Sequence, residues 1–361
     1  MAPASNQLGP NIGVRVAGAP AGSPTPSDFE LTELPIPEPA DGEVLFRSIY
    51  MGIEPSMRRR MPSPVGAPGP LGGQMQVGDL MTAGQIPLGD PLFAGHVGEV
   101  IASRHPDFAP GDFVKGGSEW QVYHVAPGRL LRKLNPKAAP LRHEMGVLGQ
   151  SPFVAYCGLE RIGQPKSGET VVVSAAAGAV GSAAGQIAKI AGARVVGIAS
   201  GDKCRHVVEE LGFDACIDRT VGPIVPALDR ECPNGIDVYF DNVGGEIQRA
   251  CFDRLNDFGR LVVCGMVSEY NAPESDHGPP LRPVLRKRLR IEGFVVWDHL
   301  DLYPEYRRRM KAWMREGRLK YRDHLVDGLE NAPGALIGLL RGENVGKMIV
   351  RVSDDPTCLT R

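Results

Sequence analysis

The stretch from 171 to 185 reads VVVSAAAGAVGSAAG, and the change of texture within it decides the fold. Val171–Val173 form an apolar, β-branched run that is typical of a strand buried on both faces. Val180–Ile190 has the composition of a helix. Because only small residues lie between the two, the sequence predicts a strand, a tight turn and a helix in immediate succession.

The turn in this stretch, Ala176-Ala177-Gly178-Ala179-Val180-Gly181, matches the dinucleotide-binding fingerprint with alanine in the place of the first glycine. Gly178 allows the backbone to approach a pyrophosphate, and Gly181 and Gly185 allow the helix to pack closely on the sheet. The start of the helix offers N–H groups and a positive dipole end to phosphates. A turn that needs small residues for packing alone is the alternative, but the strand–turn–helix context favours a dinucleotide site.

Strand and helix patterns alternate after this turn. Strands are predicted at 194–199, 238–241 and 260–264, with helices at 202–211 and 245–255. This alternation is typical of βαβ units, so we expect an α/β protein with a doubly wound parallel sheet of the Rossmann type.

The chain before this region has a different character. Residues 30–133 contain short strand patterns, such as 42–50 and 98–103, separated by turns such as Pro110-Gly111-Asp112. We expect a mostly β domain there and a last strand at 347–352 that returns to it. The predicted domains are therefore 1–144, completed by 322–361, and a dinucleotide-binding domain at 145–321.

Composition and charge exclude several classes of protein. The 361 residues are enough for two domains, and a formal net charge of -2 provides no basic field for nucleic acid. No apolar run is long enough to span a bilayer, and residues 1–13 do not have the pattern of a signal peptide. The seven cysteines are odd in number and contain no CxxC pair, which argues against a disulfide framework. We expect a cytoplasmic protein without nucleic-acid or membrane partners.

The end of the predicted second strand indicates which dinucleotide is bound. A site that prefers NAD usually has an acidic residue there, but this strand ends Ala199-Ser200-Gly201, and Asp202 is interpreted as the cap or first-turn acid of the next helix. Lys203 and Arg219 supply two cations that suit the 2′-phosphate of NADPH. Each could instead be a solvated surface charge; their pairing and the missing acid favour NADPH.

Seven motifs together resemble one family. They are AAAGAVGS at 175–182, GQIAK at 185–189, LGFD at 211–214, YFDNVGG at 239–245, YMGIEPSMR at 50–58, SEYN at 268–271 and GENVGK at 342–347. They are similar to the zinc-free prostaglandin reductase and alkenal double-bond reductase branch of the medium-chain dehydrogenases/reductases, which includes curcumin reductases. The similarity extends over nearly the whole chain, and the joint match is specific to that branch.

This resemblance implies a GroES-like N-terminal domain, a Rossmann domain, and reduction of enals or enones with NADPH by a homodimer. Lys203 corresponds to the family's 2′-phosphate lysine, Tyr270 to a tyrosine beside the nicotinamide, and Asn242 and Asn344 to asparagines that contact the cofactor. The full predicted cofactor-binding set is Ala176, Gly178, Ala179, Val180, Gly181, Ser200, Lys203, Arg219, Asn242, Cys264, Tyr270, Phe294, Val296 and Asn344.

The predicted substrate residues are Tyr50, Ser56 and Trp297. Ser56 stands where the family has a tyrosine, which changes the expected pocket. Arg219 also replaces a family tyrosine, and it keeps a capacity to bind phosphate by different chemistry. Phe294 and Trp297 lie in an apolar segment and fit either a wall of the site or plain core.

No metal site is expected. Alcohol dehydrogenases of the same superfamily use zinc bound by an early cysteine and a Gly-His-Glu segment, whereas no cysteine precedes Cys157 here. In the nearest approach, Gly95-His96-Val97-Gly98-Glu99, the acid is displaced. His96 is therefore interpreted as a structural histidine.

The predicted chemistry is conjugate reduction, in which NADPH delivers hydride to the β-carbon of an enone or enal and the enolate oxygen needs a hydrogen-bond donor. Tyr270 is the donor candidate, and a loop aromatic that only packs is the alternative. Two other functions stay open: a zinc-free quinone reductase of the zeta-crystallin kind, and a weakly catalytic NADPH-binding sensor or structural protein.

Overall fold

The computed structural model describes residues 8–63, 84–272 and 278–358, and the chain divides into two compact units. The first unit comprises Met1–Met145, His324–Asn344 and Met348–Arg361. The second unit comprises Gly146–Asp323 and Val345–Lys347. The sequence places the domain boundaries at 144/145 and 321/322 and does not anticipate that Val345–Lys347 groups with the second unit.

Fifteen strands are found among the described residues. They are β1 (Asn11–Val16), β2 (Phe29–Leu34), β3 (Glu43–Gly52), β4 (Phe93–Ser103), β5 (Phe113–Glu119), β6 (Tyr123–Pro127), β7 (Arg132–Leu134), β8 (Thr170–Ser174), β9 (Arg194–Ala199), β10 (Ala215–Asp218), β11 (Ile236–Asp241), β12 (Leu255–Val263), β13 (Arg290–Gly293), β14 (Asp323–Asp327) and β15 (Lys347–Arg351).

Eight α-helices occur in the same described ranges. They are α1 (Gln150–Gly158), α2 (Ala179–Ile190), α3 (Lys203–Arg205), α4 (Ile224–Glu231), α5 (Gly245–Asp253), α6 (Arg282–Lys287), α7 (Tyr303–Arg315) and α8 (Ala332–Leu340). No helix in the described part of the chain is long and apolar enough to cross a membrane.

The first unit is built mainly of antiparallel strands. Its seven-stranded sheet has the order β14-β15-β3-β4-β5-β7, with β6 paired to β3, while β1 and β2 form a separate antiparallel pair. β3 is the centre of the sheet because β4, β6 and β15 all pair with it. Met51, Trp120 and Leu336 are fully buried in its largest apolar cluster.

The second unit contains a six-stranded sheet in the order β10-β9-β8-β11-β12-β13, and every neighbouring pair of strands is parallel. The predicted parallel sheet is confirmed. Val171–Val173 are fully buried, as an apolar strand covered on both faces must be.

The strand order reverses between β8 and β11, which are paired at the middle of this sheet. In open α/β sheets, ligands bind where the order reverses, outside the carboxyl ends of the strands. β8 ends at Ser174, β9 at Ala199, β11 at Asp241 and β12 at Val263. We call this side of the sheet the carboxyl edge.

The helix predicted at 202–211 differs in detail from the structure. α3 covers only Lys203–Arg205 and continues as a wider π-type turn over His206–Glu210. Asp202 occupies the position before α3, but its carboxylate forms no capping hydrogen bond. Asp202 therefore does not act as a side-chain cap, which is one of the two roles that its position predicts.

Candidate dinucleotide site and active site

The fingerprint turn leaves β8 at Ser174 and enters α2 through Gly178, which has an extended backbone. A Cβ atom on Gly181 would lie 2.3 Å from the carbonyl oxygen of Ala175, and one on Gly185 would lie 1.8 Å from the ring of Phe213. Neither position has room for a side chain. A Cβ on Gly178 would be 3.2 Å from Ala175 O, so the fold itself tolerates more there. Packing therefore explains the glycines at 181 and 185 but not the one at 178, as expected if Gly178 allows a phosphate to approach the backbone.

The start of α2 lies at the carboxyl edge and offers backbone N–H groups that have no acceptor within the helix. The first bond within the helix runs from the Ser182 N–H to the Gly178 carbonyl at 2.9 Å. The N–H groups of the first turn, from Ala179 to Gly181, precede that bond and have no acceptor inside the helix. A pyrophosphate fits this arrangement because it supplies acceptors and negative charge at the positive end of the helix dipole.

A second segment supports the fingerprint turn. The Gly346 N–H donates to the Ala177 carbonyl at 2.8 Å, and Gly178 and Gly346 form a parallel bridge. Gly346 has a φ of 73°, and a Cβ there would lie 1.8 Å from the carbonyl oxygen of Arg322. Asn344, predicted to contact the cofactor, is buried and lies two residues before Gly346 in the chain.

The predicted 2′-phosphate residues lie at the ends of two neighbouring strands. Ala199 of β9 pairs with Asp218 of β10, and the Arg219 N–H donates to Ala199 O at 2.9 Å. Ser200 and Lys203 are half-buried, and Arg219 is exposed. The structure thus brings these three predicted residues to one corner of the carboxyl edge.

Asp218 is an acidic residue at this corner that sequence reasoning missed. Its carboxylate accepts hydrogen bonds from the Thr220 hydroxyl at 2.6 Å and the Thr220 N–H at 2.9 Å. The Thr220 hydroxyl, followed by the Gly201 and Thr220 amides, holds the pKa of Asp218 below its usual value. Asp-Arg-Thr at the end of a strand is a turn signal that could have indicated it.

The other corner of the edge contains Asn242, Cys264 and Tyr270. Asn242 is fixed by two hydrogen bonds to Ser174, from its N–H to Oγ and from Nδ2 to the carbonyl oxygen, both 2.8 Å. A Cβ on Gly265 would lie 3.4 Å from Asn242 O and 3.7 Å from the Tyr270 hydroxyl. The structure therefore places the Tyr270 hydroxyl and Asn242 near the same point. Burial raises the pKa of the Cys264 thiol, which makes it a packing group rather than a nucleophile.

The apolar residues Phe294, Val296 and Trp297 follow β13. A Cβ on Gly158 would meet the ring of Phe294 at 2.9 Å, so Phe294 packs against α1. Val296 is buried and Trp297 is half-buried, with its indole nitrogen enclosed. These contacts fit a core role, and contact with cofactor or substrate stays a prediction for all three.

Tyr50 and Ser56 belong to the first unit. The Tyr50 hydroxyl donates to Asp355 Oδ2 at 3.0 Å, and Tyr50 is buried. Burial and the Asp355 carboxylate raise the pKa of Tyr50 far above its usual value. Because its hydroxyl is already held inside the unit, the contacts favour a structural role over the predicted substrate role. Ser56 is half-buried in the short helical turn Pro55–Arg60.

His96 is fully buried, and its Nδ1 lies 2.8 Å from Ser48 Oγ. Its ring packs on that of His124, with 4.4 Å between the centroids. Burial lowers the pKa of His96 to about 4, so the ring is neutral. Within the described ranges, no group of three or more His, Cys, Asp or Glu residues could hold a metal ion; metal independence stays a prediction.

Comparison with known proteins places both units. One family model, for the N-terminal domain of oxidoreductases, matches residues 13–134, and a second, described as zinc-binding dehydrogenase, matches residues 179–313. The NADPH-dependent curcumin reductase of Escherichia coli is 42% identical over 347 residues, which cover 94% of this chain and 96% of that protein. The chain belongs to the zinc-free reductase branch of the medium-chain dehydrogenase/reductase superfamily.

Two further relatives support this membership. The NADP(+)-dependent 2-alkenal reductase of Nicotiana tabacum is 36% identical over 339 residues, covering 92% of this chain and 94% of the relative. The crystal structure of CurA from Vibrio vulnificus in complex with NADPH is 39% identical with a TM-score of 0.86, covering 95% of this chain and 100% of that one. The predicted fold class, a GroES-like domain and a Rossmann domain, is confirmed.

Proposed function

We propose that this protein uses NADPH to reduce the activated C=C bond of α,β-unsaturated ketones or aldehydes. The observation that carries the proposal is the carboxyl edge of the second unit. It joins a phosphate-binding turn, in which Gly181 has no room for a Cβ atom, to a polar corner with Asn242 and the Tyr270 hydroxyl. The relatives named above are reductases of curcumin and 2-alkenals, which fits the same chemistry.

The residues of the edge fit NADPH from end to end. The first turn of α2 suits the pyrophosphate, while Ser200, Lys203 and Arg219 suit the 2′-phosphate because no acidic residue ends β9. The chemistry that NADPH supplies when bound is hydride transfer to the substrate β-carbon.

The chain itself contributes position and a hydrogen-bond donor for the substrate oxygen. Negative charge develops on the substrate carbonyl oxygen during reduction, and a phenol hydroxyl at that point stabilises it more strongly as the charge grows. The Tyr270 hydroxyl and the Asn242 carbonyl oxygen both lie close to Gly265, which supports this role for Tyr270. The two hydrogen bonds from Asn242 to Ser174 hold this corner in one conformation.

We further propose a homodimer in the cytoplasm. Among the described residues β13 is an edge strand of its sheet, and Leu281 and Leu285, at the start and in the middle of the preceding helix α6, are 76% and 83% exposed. A second copy of the chain that covers this edge would supply hydrogen-bond partners for the strand and bury the apolar side chains. All seven cysteines are free thiols, as a reducing compartment requires. Light scattering should give twice the chain mass, and Leu285→Glu should shift the protein to a monomer; a monomeric parent contradicts the dimer.

The function is tested by steady-state assays of enones, enals and quinones with NADPH and NADH. We expect turnover of enones or enals, with NADPH strongly preferred. Turnover of quinones alone supports a quinone reductase instead, and tight NADPH binding without turnover supports a sensor.

The double variant Lys203→Ala with Arg219→Ala sharpens this test. Its KM for NADPH should rise about tenfold or more, because charged hydrogen bonds to the phosphate are lost, while its KM for NADH should stay nearly constant. Arg205→Ala is the matched control, since Arg205 is an exposed cation of the same helix. Equal use of NADPH and NADH by the parent protein contradicts the assignment.

A further inference from the structure

The residue before Asn242, Asp241, has a completely buried side chain. Asp241 is the last residue of β11 and has no solvent exposure. Its Oδ1 accepts hydrogen bonds from the Tyr239 hydroxyl at 2.7 Å, the Val243 N–H at 2.9 Å, the Gly244 N–H at 3.0 Å and the Ser174 hydroxyl at 3.1 Å. Its Oδ2 accepts one from Gln248 Nε2 at 2.8 Å.

All five of these donors are uncharged. Within the described ranges, no Lys, Arg or His forms an ion pair with Asp241. A buried carboxylate without a cation persists only where hydrogen bonds replace its lost hydration. Burial, together with the neighbouring Asp241 side chain, raises the pKa of Tyr239 well above its usual value, so the Tyr239 hydroxyl keeps its proton and remains a donor.

The hydrogen bonds around Asp241 connect β8 and β11, the two strands between which the strand order reverses. Ser174 ends β8, just before the fingerprint turn, and its Oγ accepts the Asn242 N–H at 2.8 Å while donating to Asp241. The main-chain carbonyl of Asp241 accepts the N–H groups of Cys264 and Gly265 at 2.9 Å and 3.1 Å. One residue thus fixes the ends of β8, β11 and β12 relative to each other.

Val243, whose N–H group donates to Asp241, is also hydrogen-bonded to the loop that contains Tyr270. The Val243 carbonyl accepts the Ser268 N–H at 3.0 Å and the Ser268 hydroxyl at 2.6 Å. The path from Asp241 through Val243 and Ser268 ends two residues before Tyr270. The 2′-phosphate corner, at β9 and β10, receives no hydrogen bond from this network among the described residues.

We propose that Asp241 is a positioning residue for the nicotinamide half of the cofactor site, acting through Asn242 and the Tyr270 loop. The inference rests on the proposed function, since it assigns Asn242 and Tyr270 to the reacting end of NADPH. Asp241 touches neither cofactor nor substrate; it sets where the groups that do so are held.

The test separates the two halves of the cofactor site with two probes. NADPH occupies both halves, whereas adenosine 2′,5′-bisphosphate occupies only the half with the 2′-phosphate. In Asp241→Asn, which keeps the shape and removes the charge, we expect kcat for an enone or the affinity for NADPH to fall about fivefold or more. The affinity for adenosine 2′,5′-bisphosphate should change less than about twofold. A merely structural defect would weaken both ligands together.

Asp237→Asn is the matched control. Asp237 lies at the other end of β11 and accepts the Thr170 N–H and Asn256 Nδ2, both at 2.8 Å. The same substitution in the same strand, but away from the carboxyl edge, should leave kcat and both affinities at the parent values.

Ser174→Ala is a second route to the same answer if Asp241→Asn does not fold. It removes the link between Asp241 and Asn242, so the same split between the two ligands is expected. The positioning role is overturned if the foldable variants match the parent, or if both ligands weaken by the same factor. A parent protein that binds neither probe overturns the proposed function and this inference with it.

Discussion

Two fully buried polar clusters in the described part of the chain, one in each unit, differ in how the free-energy cost of burial is met. In the second unit, five donors converge on the Asp241 side chain, and their hydrogen bonds replace its lost hydration. In the first unit, the tilted rings of His96 and His124 pack with 4.4 Å between their centroids, His96 Nδ1 is hydrogen-bonded with Ser48 Oγ, and both ring nitrogens of His124 lack a partner in the described ranges. There the groups stay uncharged.

This contrast teaches that a buried polar side chain can be accommodated in two ways. Hydrogen bonds can replace its lost hydration, or the group can stay uncharged. The two clusters should therefore respond differently to acid, to loss of a donor and to an apolar replacement.

The largest expected effect is acid destabilisation by the histidine pair. The pKa of His96 is lowered by burial from 6.5 to about 4, and burial lowers that of His124 as well. Above pH 6.5 both states are neutral and the pair contributes nothing. As the pH falls below 6.5, the histidines are protonated in the unfolded state but not in the folded state. The free energy of unfolding therefore decreases down to about pH 4. The loss from His96 alone is about 3 kcal/mol.

Chemical denaturation of the parent at steps from pH 7.5 to 4.5 measures this loss. The unfolding transition that reports on the first unit should move, and its slope with pH should be smaller in a variant that lacks one of the two histidines. A midpoint that is constant from pH 7 to 5 contradicts the neutral, desolvated state of the pair.

The next effect in size concerns the donors around Asp241. Gln248 is buried and provides the hydrogen bond to Oδ2. Gln248→Met keeps the length of the side chain and removes this donor, so a charged oxygen is left desolvated. We expect a loss of about 1.5–3 kcal/mol in unfolding free energy at pH 7. A loss below about 0.5 kcal/mol would mean that water or a shifted neighbour replaces the amide.

The sequence predicted the second unit better than the details of either polar cluster. The apolar strand, small turn and helix at 171–190 are local, so their pattern was sufficient for the parallel sheet and its carboxyl edge. The hydrogen bond from Tyr50 to Asp355 joins residues 305 positions apart, which no local pattern contains. Asp241 was visible only as part of a motif, because its five donors come from β8, β11, α5 and the turn between β11 and α5.

The effect of Tyr270→Phe on kcat tests whether catalysis depends on the carboxyl edge and not on the histidine pair. Removal of an oxyanion donor typically lowers kcat by about 10²–10³, and a share carried by the cofactor ribose hydroxyl makes the loss smaller. We expect Tyr270→Phe to lower kcat for an enone at least about fivefold with nearly unchanged NADPH affinity, since the ring is kept. Parent kcat with hydride transfer limiting in both proteins would leave Tyr270 as a loop aromatic that only packs.

The smallest expected effect is that of His124→Phe, and it gives the sharpest view of the contrast. The ring of His124 stacks on Phe46 at 4.8 Å and is fully buried. Replacing a buried polar group that lacks partners by an apolar ring of similar shape costs little, because no hydrogen bond is lost and a desolvated group is removed. At pH 7 we expect a change within about 1 kcal/mol, unchanged kcat, and a flatter loss of stability toward pH 4.5. A loss as large as that of Gln248→Met would show that His124 has a hydrogen-bonding partner after all, and the two clusters would then be alike.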